Sequence, residues 1–316
     1  MNTTYNELLG KSNGLRFAFT ARDWSGAMFP WGPTVGTAPF YSQPVDTGIQ
    51  VPAILGSNGL KGSIFVLGKY GAAGVANLTN KDYEDFLRTN FGSLAQRISQ
   101  QYPLSLFDNS AYEAMSIVAR DYTFRCSTYR AANFAAADNI PIWTYSFNQT
   151  PSCPFDVGVP DIPEIINLIG PTHGSELPFV WGEVSNLPHP AGNCTLNAGE
   201  KTISAFMTSA WTSMARDRTP GHGWPAYSQN STQGINFEDS RVLPGTVDYS
   251  MCTFWDQIHY ALMKATSTDN STAPANMTTM STHLPSHATG GGSRNSAFMN
   301  YYFVPLGLAL GTMYSL

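Results

Sequence analysis

The chain has 316 residues, 42% hydrophobic and 13% aromatic, which is ample apolar material for the packed core of one large domain or two smaller ones. Charged residues make up only 12%, against roughly 25% in an average soluble protein. The net charge of −5 is spread without a basic run or stripe, which excludes the electrostatic footprint of a nucleic-acid partner. The Ser, Thr, Asn, Gly and Pro that replace the charges suit the surface of an exported glycoprotein.

Export calls for a basic and then an apolar signal region, and Met1 to Gly14 is polar and offers neither, so this reading implies an N-terminus beyond Met1. Residues 1 to 50 are rich in Gly, Pro and aromatics, and Phe29-Pro30-Trp31-Gly32-Pro33 reads as irregular chain because each proline restricts the residue before it. The apolar run Val51 to Leu55, closed by Gly56, predicts a short buried strand. Helical spacing follows from Lys81 to Phe91 and from Ser110 to Val118, and the alanines with Phe134 between Cys126 and Ala137 predict a more buried helix. From Ile140 to Phe147, Ile142, Thr144 and Ser146 alternate with Trp143, Tyr145 and Phe147, the period of a strand. Two further amphipathic helices, Lys201 to Met214 and Ser250 to Lys264, flank a turn-rich stretch containing Trp224-Pro225-Ala226-Tyr227. Interleaved helices and strands are the pattern of an α/β layer fold.

After Ala265 the composition shifts to Ser, Thr, Asn, Pro and Gly. This predicts a domain over 1–265, a stalk over 266–296 that includes Gly290-Gly291-Gly292, and a hydrophobic tail over 297–316. The tail carries no charge and fits a GPI-attachment signal cleaved among Ser286 to Gly292. A single transmembrane anchor and a terminal segment packed on the core are the other readings. Seven Asn-x-Ser/Thr sequons, at Asn2, Asn77, Asn148, Asn193, Asn230, Asn270 and Asn276, point to the secretory pathway and to an extracellular or cell-surface location.

The stretch with the most chemistry is Gly170-Pro171-Thr172-His173-Gly174-Ser175-Glu176-Leu177-Pro178-Phe179-Val180-Trp181-Gly182. A histidine followed at once by glycine belongs to a loop free to project an imidazole, the requirement for a general base that must reach a serine hydroxyl. The segment resembles the catalytic-histidine loop of type-B carboxylesterases and cholinesterases, in which His-Gly-x-Glu precedes an aliphatic residue and an aromatic-glycine pair. Further resemblances follow in the family's order. They are Phe29 to Val35, Val51-Pro52-Ala53-Ile54-Leu55-Gly56-Ser57-Asn58, residues 123 to 137, Ile142 to Phe147, Trp211-Thr212-Ser213-Met214-Ala215, Trp224 to Tyr227, and Cys252-Thr253-Phe254-Trp255-Asp256. The resemblance covers residues 28 to 260. It implies the C-terminal, incomplete portion of an α/β-hydrolase fold, a mixed, mostly parallel sheet flanked by helices.

What the resemblance implies for the site is a general base at His173 and two departures. The family follows Gly-Ser-Asn with Asp-Glu-Gly, whose glutamate orients the histidine, whereas Gly59-Leu60-Lys61-Gly62 stands here and Lys61 occupies the acid position. A lysine there repels the imidazolium that a carboxylate would stabilise. Lys61 and His173 are 112 residues apart (173 minus 61), an interval typical of the family's acid and histidine. The nucleophile is the other departure, since the literal G-x-S-x-G match, Gly10-Lys11-Ser12-Asn13-Gly14, lacks the strand before it and the helix after it. Ser12 is therefore read as a decoy, and Asp82, Glu84 and Asp121 remain as carboxylates that could replace the missing acid.

Four cysteines allow three pairings. The resemblance selects Cys126 with Cys252, which leaves Cys153 with Cys194 closing a loop around the histidine segment. Neither a cofactor nor a metal is expected, because the spacing of His173, His189, Glu176 and Glu183 fits no zinc pattern. Trp143, Trp181, Trp211, Trp224 and Trp255 read as core. The resemblance implies a hydrolase using an acyl-enzyme on small-molecule or lipid esters, with this chain inactive alone. A non-catalytic adhesion or binding domain is the alternative.

Overall fold

The computed structural model describes residues 48–269, and side chains as far as Leu262. Ser12, Phe29 to Val35, the sequons at Asn2, Asn270 and Asn276, most of the stalk and the hydrophobic tail lie outside the described residues. The elements run β1 (Ala53–Asn58), α1 (Ser63–Val75), α2 (Asn80–Phe91), α3 (Ala95–Gln101), α4 (Ala111–Arg120), a π-helical turn (Asp121–Arg125), α5 (Cys126–Ala137), β2 (Ile142–Phe147), α6 (Pro163–Ile169), α7 (Leu177–Trp181), α8 (Ala198–Asp217), β3 (Gln233–Glu238), β4 (Arg241–Thr246) and α9 (Cys252–Asp269). Short 3-10 turns follow α2 and precede α4.

The four strands form one mixed sheet in the order β1-β2-β3-β4, with β1, β2 and β3 parallel and β4 antiparallel to β3. Helices flank it, the α/β-hydrolase-like arrangement expected from the sequence. All six residues of β2 are buried. The strand expected from the alternation in Ile142 to Phe147 is present, and both of its faces are covered. Trp143, Tyr145 and Phe147 pack with Phe179, Ile203, Met207 and Phe237 on the α7–α8 side. Ile142 belongs to a second core with Leu55, Val66, Leu87, Met115 and Trp255. Burial on both faces is the usual condition of a parallel strand.

One expected strand has different bounds, and two elements lack a clear sequence signal. The first strand begins at Ala53 rather than Val51, which is 61% exposed, and it continues through Gly56 to Asn58. Gly56 does not end the strand, because its missing Cβ makes room for the Tyr145 ring across the ladder, whose nearest atoms would lie 2.3 Å from a methyl there. Helix α1 gave only a weak signal, since Gly68, Gly71 and Gly74 dilute its periodicity and Gly71 kinks it with φ 71°. The β3–β4 hairpin was also missed. Pro244 and Gly245 lie inside β4, a combination that reads as loop but is tolerated in a strand at the end of a sheet. Its turn, Asp239-Ser240, has φ of 49° and 58°, the left-handed pair of a tight hairpin.

Two helix starts are fixed by reciprocal capping. Thr79 and Asp82 cap α2, and Asn197 and Glu200 cap α8. Glu200 is fully buried and does more than cap, for it also accepts from Ser152 N at 2.7 Å and Gln149 Nε2 at 3.3 Å, tying the chain leaving β2 to α8. Disulfides join Cys126 to Cys252 and Cys153 to Cys194, the pairing the resemblance implied. The last helix runs to Asp269, past the boundary expected near 265.

Trp143, Trp224 and Trp255 are core residues and Trp211 is half-buried, whereas Trp181 is 68% exposed. The reason is its place at the end of α7. Phe179 points inward, and two residues on at roughly 100° per residue the side chain faces the opposite way. Among the described residues no helix is long and apolar enough to cross a membrane.

The contact between Gly56 and Tyr145 sets a test of the central sheet. Gly56→Ala should lower stability by about 1–3 kcal/mol through overpacking, measured as a shifted urea midpoint with an unchanged slope.

Candidate active site

Two loops that are far apart in sequence meet at the C-terminal ends of β1 and β2. Strand β1 delivers Gly59-Leu60-Lys61-Gly62, and α6 delivers Pro171-Thr172-His173-Gly174. They are joined by backbone and side chain. Leu60 N–H donates to Pro171 O at 2.9 Å, and Ser63 Oγ donates to Ile169 O at 2.6 Å. Thr172 Oγ1 lies 2.8 Å from Ser63 Oγ and accepts from Ile64 N–H at 3.1 Å. Gly62 has no room for a side chain, since a Cβ there would lie 2.1 Å from Ser116 O on α4. The lysine loop is therefore pinned against both α4 and the histidine loop.

Asn58, fully buried at the end of β1, is the hub. Its Nδ2 donates to Thr172 O at 2.5 Å, to Ser175 Oγ at 3.3 Å and to Glu176 Oε2. Glu176 Oε1 in turn lies 3.9 Å from Lys61 Nζ, and both side chains are nearly sealed from solvent at 11% exposure. Lys61 Nζ also stands 5.1 Å from the centre of the Phe124 ring. The Lys61 cation is thus compensated by a carboxylate three residues after the histidine.

His173 is held rather than projected, which corrects the free loop expected from His-Gly. Its ring packs 5.2 Å from Phe124 of the π-helical turn and 5.5 Å from Phe65 of α1, and these two phenylalanines stack on each other at 5.9 Å. Part of the residue stays open to solvent, but Nδ1 is buried without a hydrogen-bond partner among the described residues. Burial, and secondly the charge of Lys61, push its pKa down from 6.5 to about 3. At neutral pH the imidazole is uncharged and lacks the carboxylate that would fix its tautomer.

None of the alternative carboxylates hydrogen-bonds His173. Asp82 caps α2, and Glu84 accepts from Asn80 at 3.3 Å on the same helix. Asp121 is buried, accepting from Tyr102 OH at 2.9 Å and Arg120 Nε at 2.7 Å. No group of His, Cys, Asp and Glu that could hold a metal occurs among the described residues. Two open grooves lie elsewhere, one of about 530 Å³ along α8 from Lys201 to Arg216, the other of about 500 Å³ beside Val51, Ile54 and Trp211, and His173 lines neither.

Sequence reasoning located Lys61 and His173 but missed Asn58, Ser63, Phe65 and Phe124 as their supports. Asn58 closes the strand motif that carried the resemblance, so it was quoted without a role. Phe65 and Phe124 gave no signal, because only the fold brings α1 and the π-helical turn to the histidine loop.

The family model described as "Carboxylesterase family" matches residues 2–255. The chain belongs to the carboxylesterase family. A bovine (Bos taurus) protein named Carboxylesterase 4A is 24% identical over 146 residues, a match covering 45% of this chain and 24% of that protein. The chain thus spans about a quarter of the length of this carboxylesterase relative. In this carboxylesterase-family chain, Lys61 and Glu176 pair at the junction of the two loops.

The Lys61–Glu176 pair is testable by a double-mutant cycle. Lys61→Met should cost about 3 kcal/mol by leaving Glu176 buried without its cation, and adding Glu176→Gln should recover most of that, measured by chemical denaturation. The depressed His173 pKa sets a pH dependence. The native state binds fewer protons than the unfolded chain below pH 6.5, so stability should fall as pH drops from about 6.5 toward 3, by on the order of 3–5 kcal/mol. His173→Phe should flatten that slope, and Lys61→Met should raise the His173 pKa, read from its ring-proton NMR shift.

Proposed function

We propose that the His173 site does not hydrolyse esters in this chain, and that the chain is a carboxylesterase-family domain used for binding. The observation that carries this reading is the accommodation of Lys61. A lysine that had merely displaced a catalytic acid would be left buried and unpaired, whereas Lys61 faces Glu176 and Phe124, and Asn58 holds Glu176 in place. The orphaned, stacked imidazole fits the same conclusion.

A second reading takes its support from the match to only 24% of a carboxylesterase relative. In it, a longer parent is an ester hydrolase acting through an acyl-enzyme on small-molecule or lipid esters, and supplies the nucleophile to His173. Such a parent would still meet Lys61 at the acid position.

The two disulfides are compatible with an extracellular location. Export through the secretory pathway to the cell surface is part of the proposal, with the tail 297–316 as the segment that would attach the chain to a membrane, as a GPI signal or a span. Glycosylation is proposed at Asn77, Asn193 and Asn230, all exposed. Asn148 is half-buried, and its amide nitrogen, the atom a glycan would occupy, donates to Glu238 Oε2 at 3.2 Å.

Hydrolysis of p-nitrophenyl acetate by the chain and by His173→Ala tests the central claim. The two rates should agree within twofold. A tenfold drop in the variant would restore His173 as a general base.

A further inference from the structure

A serine and a histidine meet within hydrogen-bond distance far along the chain from the His173 loop. Ser209, midway along α8, has its Oγ 2.8 Å from Nε2 of His222, and the pair is exposed. This is the spacing a nucleophile needs from its base. With Nε2 as acceptor the ring proton is on Nδ1, which leaves Nε2 free to take the serine proton.

The backbone around His222 is unusual. Gly221, His222 and Gly223 have φ of 66°, 54° and 67°, three successive residues in the left-handed region. For a residue with a Cβ this conformation costs about 1 kcal/mol or more, and such strain concentrates at functional sites. The turn is anchored without His222, because buried Trp224 follows it, donating from its indole to Thr144 O at 3.1 Å and from its backbone to Gly221 O at 3.0 Å. Phe206, one turn back on α8, packs 5.6 Å from the imidazole and orients its face. Ser209 also lines the open groove of about 530 Å³ along α8, whose walls include Thr212, Ser213 and Arg216.

We infer that Ser209 and His222 form an acyl-accepting dyad that reacts with small activated carboxylic esters independently of His173. In the step, Ser209 Oγ forms a bond to the ester carbonyl carbon while its proton passes to His222 Nε2. The bond from that carbon to the ester's alcohol oxygen then breaks, and the alcohol leaves with the proton from the imidazolium. The products are O-acyl-Ser209 and the free alcohol, with neutral His222 regenerated. The groove's mixed lining, with Val184 and Ala205 beside Thr212 and Ser213, fits short acyl groups.

The test is peptide mass spectrometry of the full chain after incubation with p-nitrophenyl acetate. Acetyl-Ser209 should exceed acetylation at neighbouring Ser204 and Ser213 at least tenfold. His222→Gln keeps a side chain able to bond Ser209 but cannot act as a base, and should lower the yield at least tenfold with an unchanged thermal melt, whereas His173→Ala should leave it unaltered. Ser209→Cys, similar in size and more nucleophilic, should acetylate faster, and that gain should vanish when His222→Gln is added. The inference is overturned by wild-type protein without an adduct on Ser209, or by equal yields with and without His222.

Discussion

Everything at the candidate site is hung on one strand that has no solvent face. Strand β2 is buried along its whole length, and its two faces pack into two different cores, so its register against β1 and β3 cannot slip by one residue without driving each set of side chains into the wrong core. That register places Asn58 opposite Phe147 and so fixes where β1 ends. The lysine loop begins there, with Gly59 N–H donating to Phe147 O at 2.8 Å, and the loop's path follows from the sheet rather than from its own residues.

What that path delivers is an inverted electrostatic arrangement. The charge of Lys61 lowers the proton affinity of the His173 imidazole, where a carboxylate would raise it. Desolvation acts in the same direction, since Phe65 and Phe124 cover the ring. The lysine's own burial is tolerated because Glu176, itself held by Asn58, stands across from it, so the charge pair belongs to the framework that joins the two loops. The two loops are therefore joined by an internal balance of charge.

Much of this was legible in the sequence, for identifiable reasons. Helices α2, α4, α5, α8 and α9 carry strong apolar periodicity or alanine-rich faces and were found close to their observed spans. The cysteine partners and the importance of residues 61 and 173 came from ordered family resemblance, not from spacing rules. The losses have local causes. Glycines blur α1, Pro244 hides β4 at the end of the sheet, and a two-faced burial of β2 cannot be told from alternation when Thr144 and Ser146 occupy the inner positions. The His173 environment was illegible because its covering phenylalanines come from elements 49 and 108 residues away (173 minus 124 and 173 minus 65).

The π-helical turn Asp121–Arg125 lies in one continuous helical run between α4 and α5. Its wider winding lets Tyr122 reach Trp255 at 5.3 Å while Phe124 reaches His173 on another side. It also lets Cys126 emerge aligned with Cys252. Losing one residue from this turn would return the run to regular α-helix while leaving the face of α5 nearly unchanged, because the wider winding absorbs the extra residue within about the rotation of one ordinary turn. The extra residue thus spreads Tyr122 and Phe124 so that one short segment touches both Trp255 and His173, while α5 keeps its orientation toward the last helix.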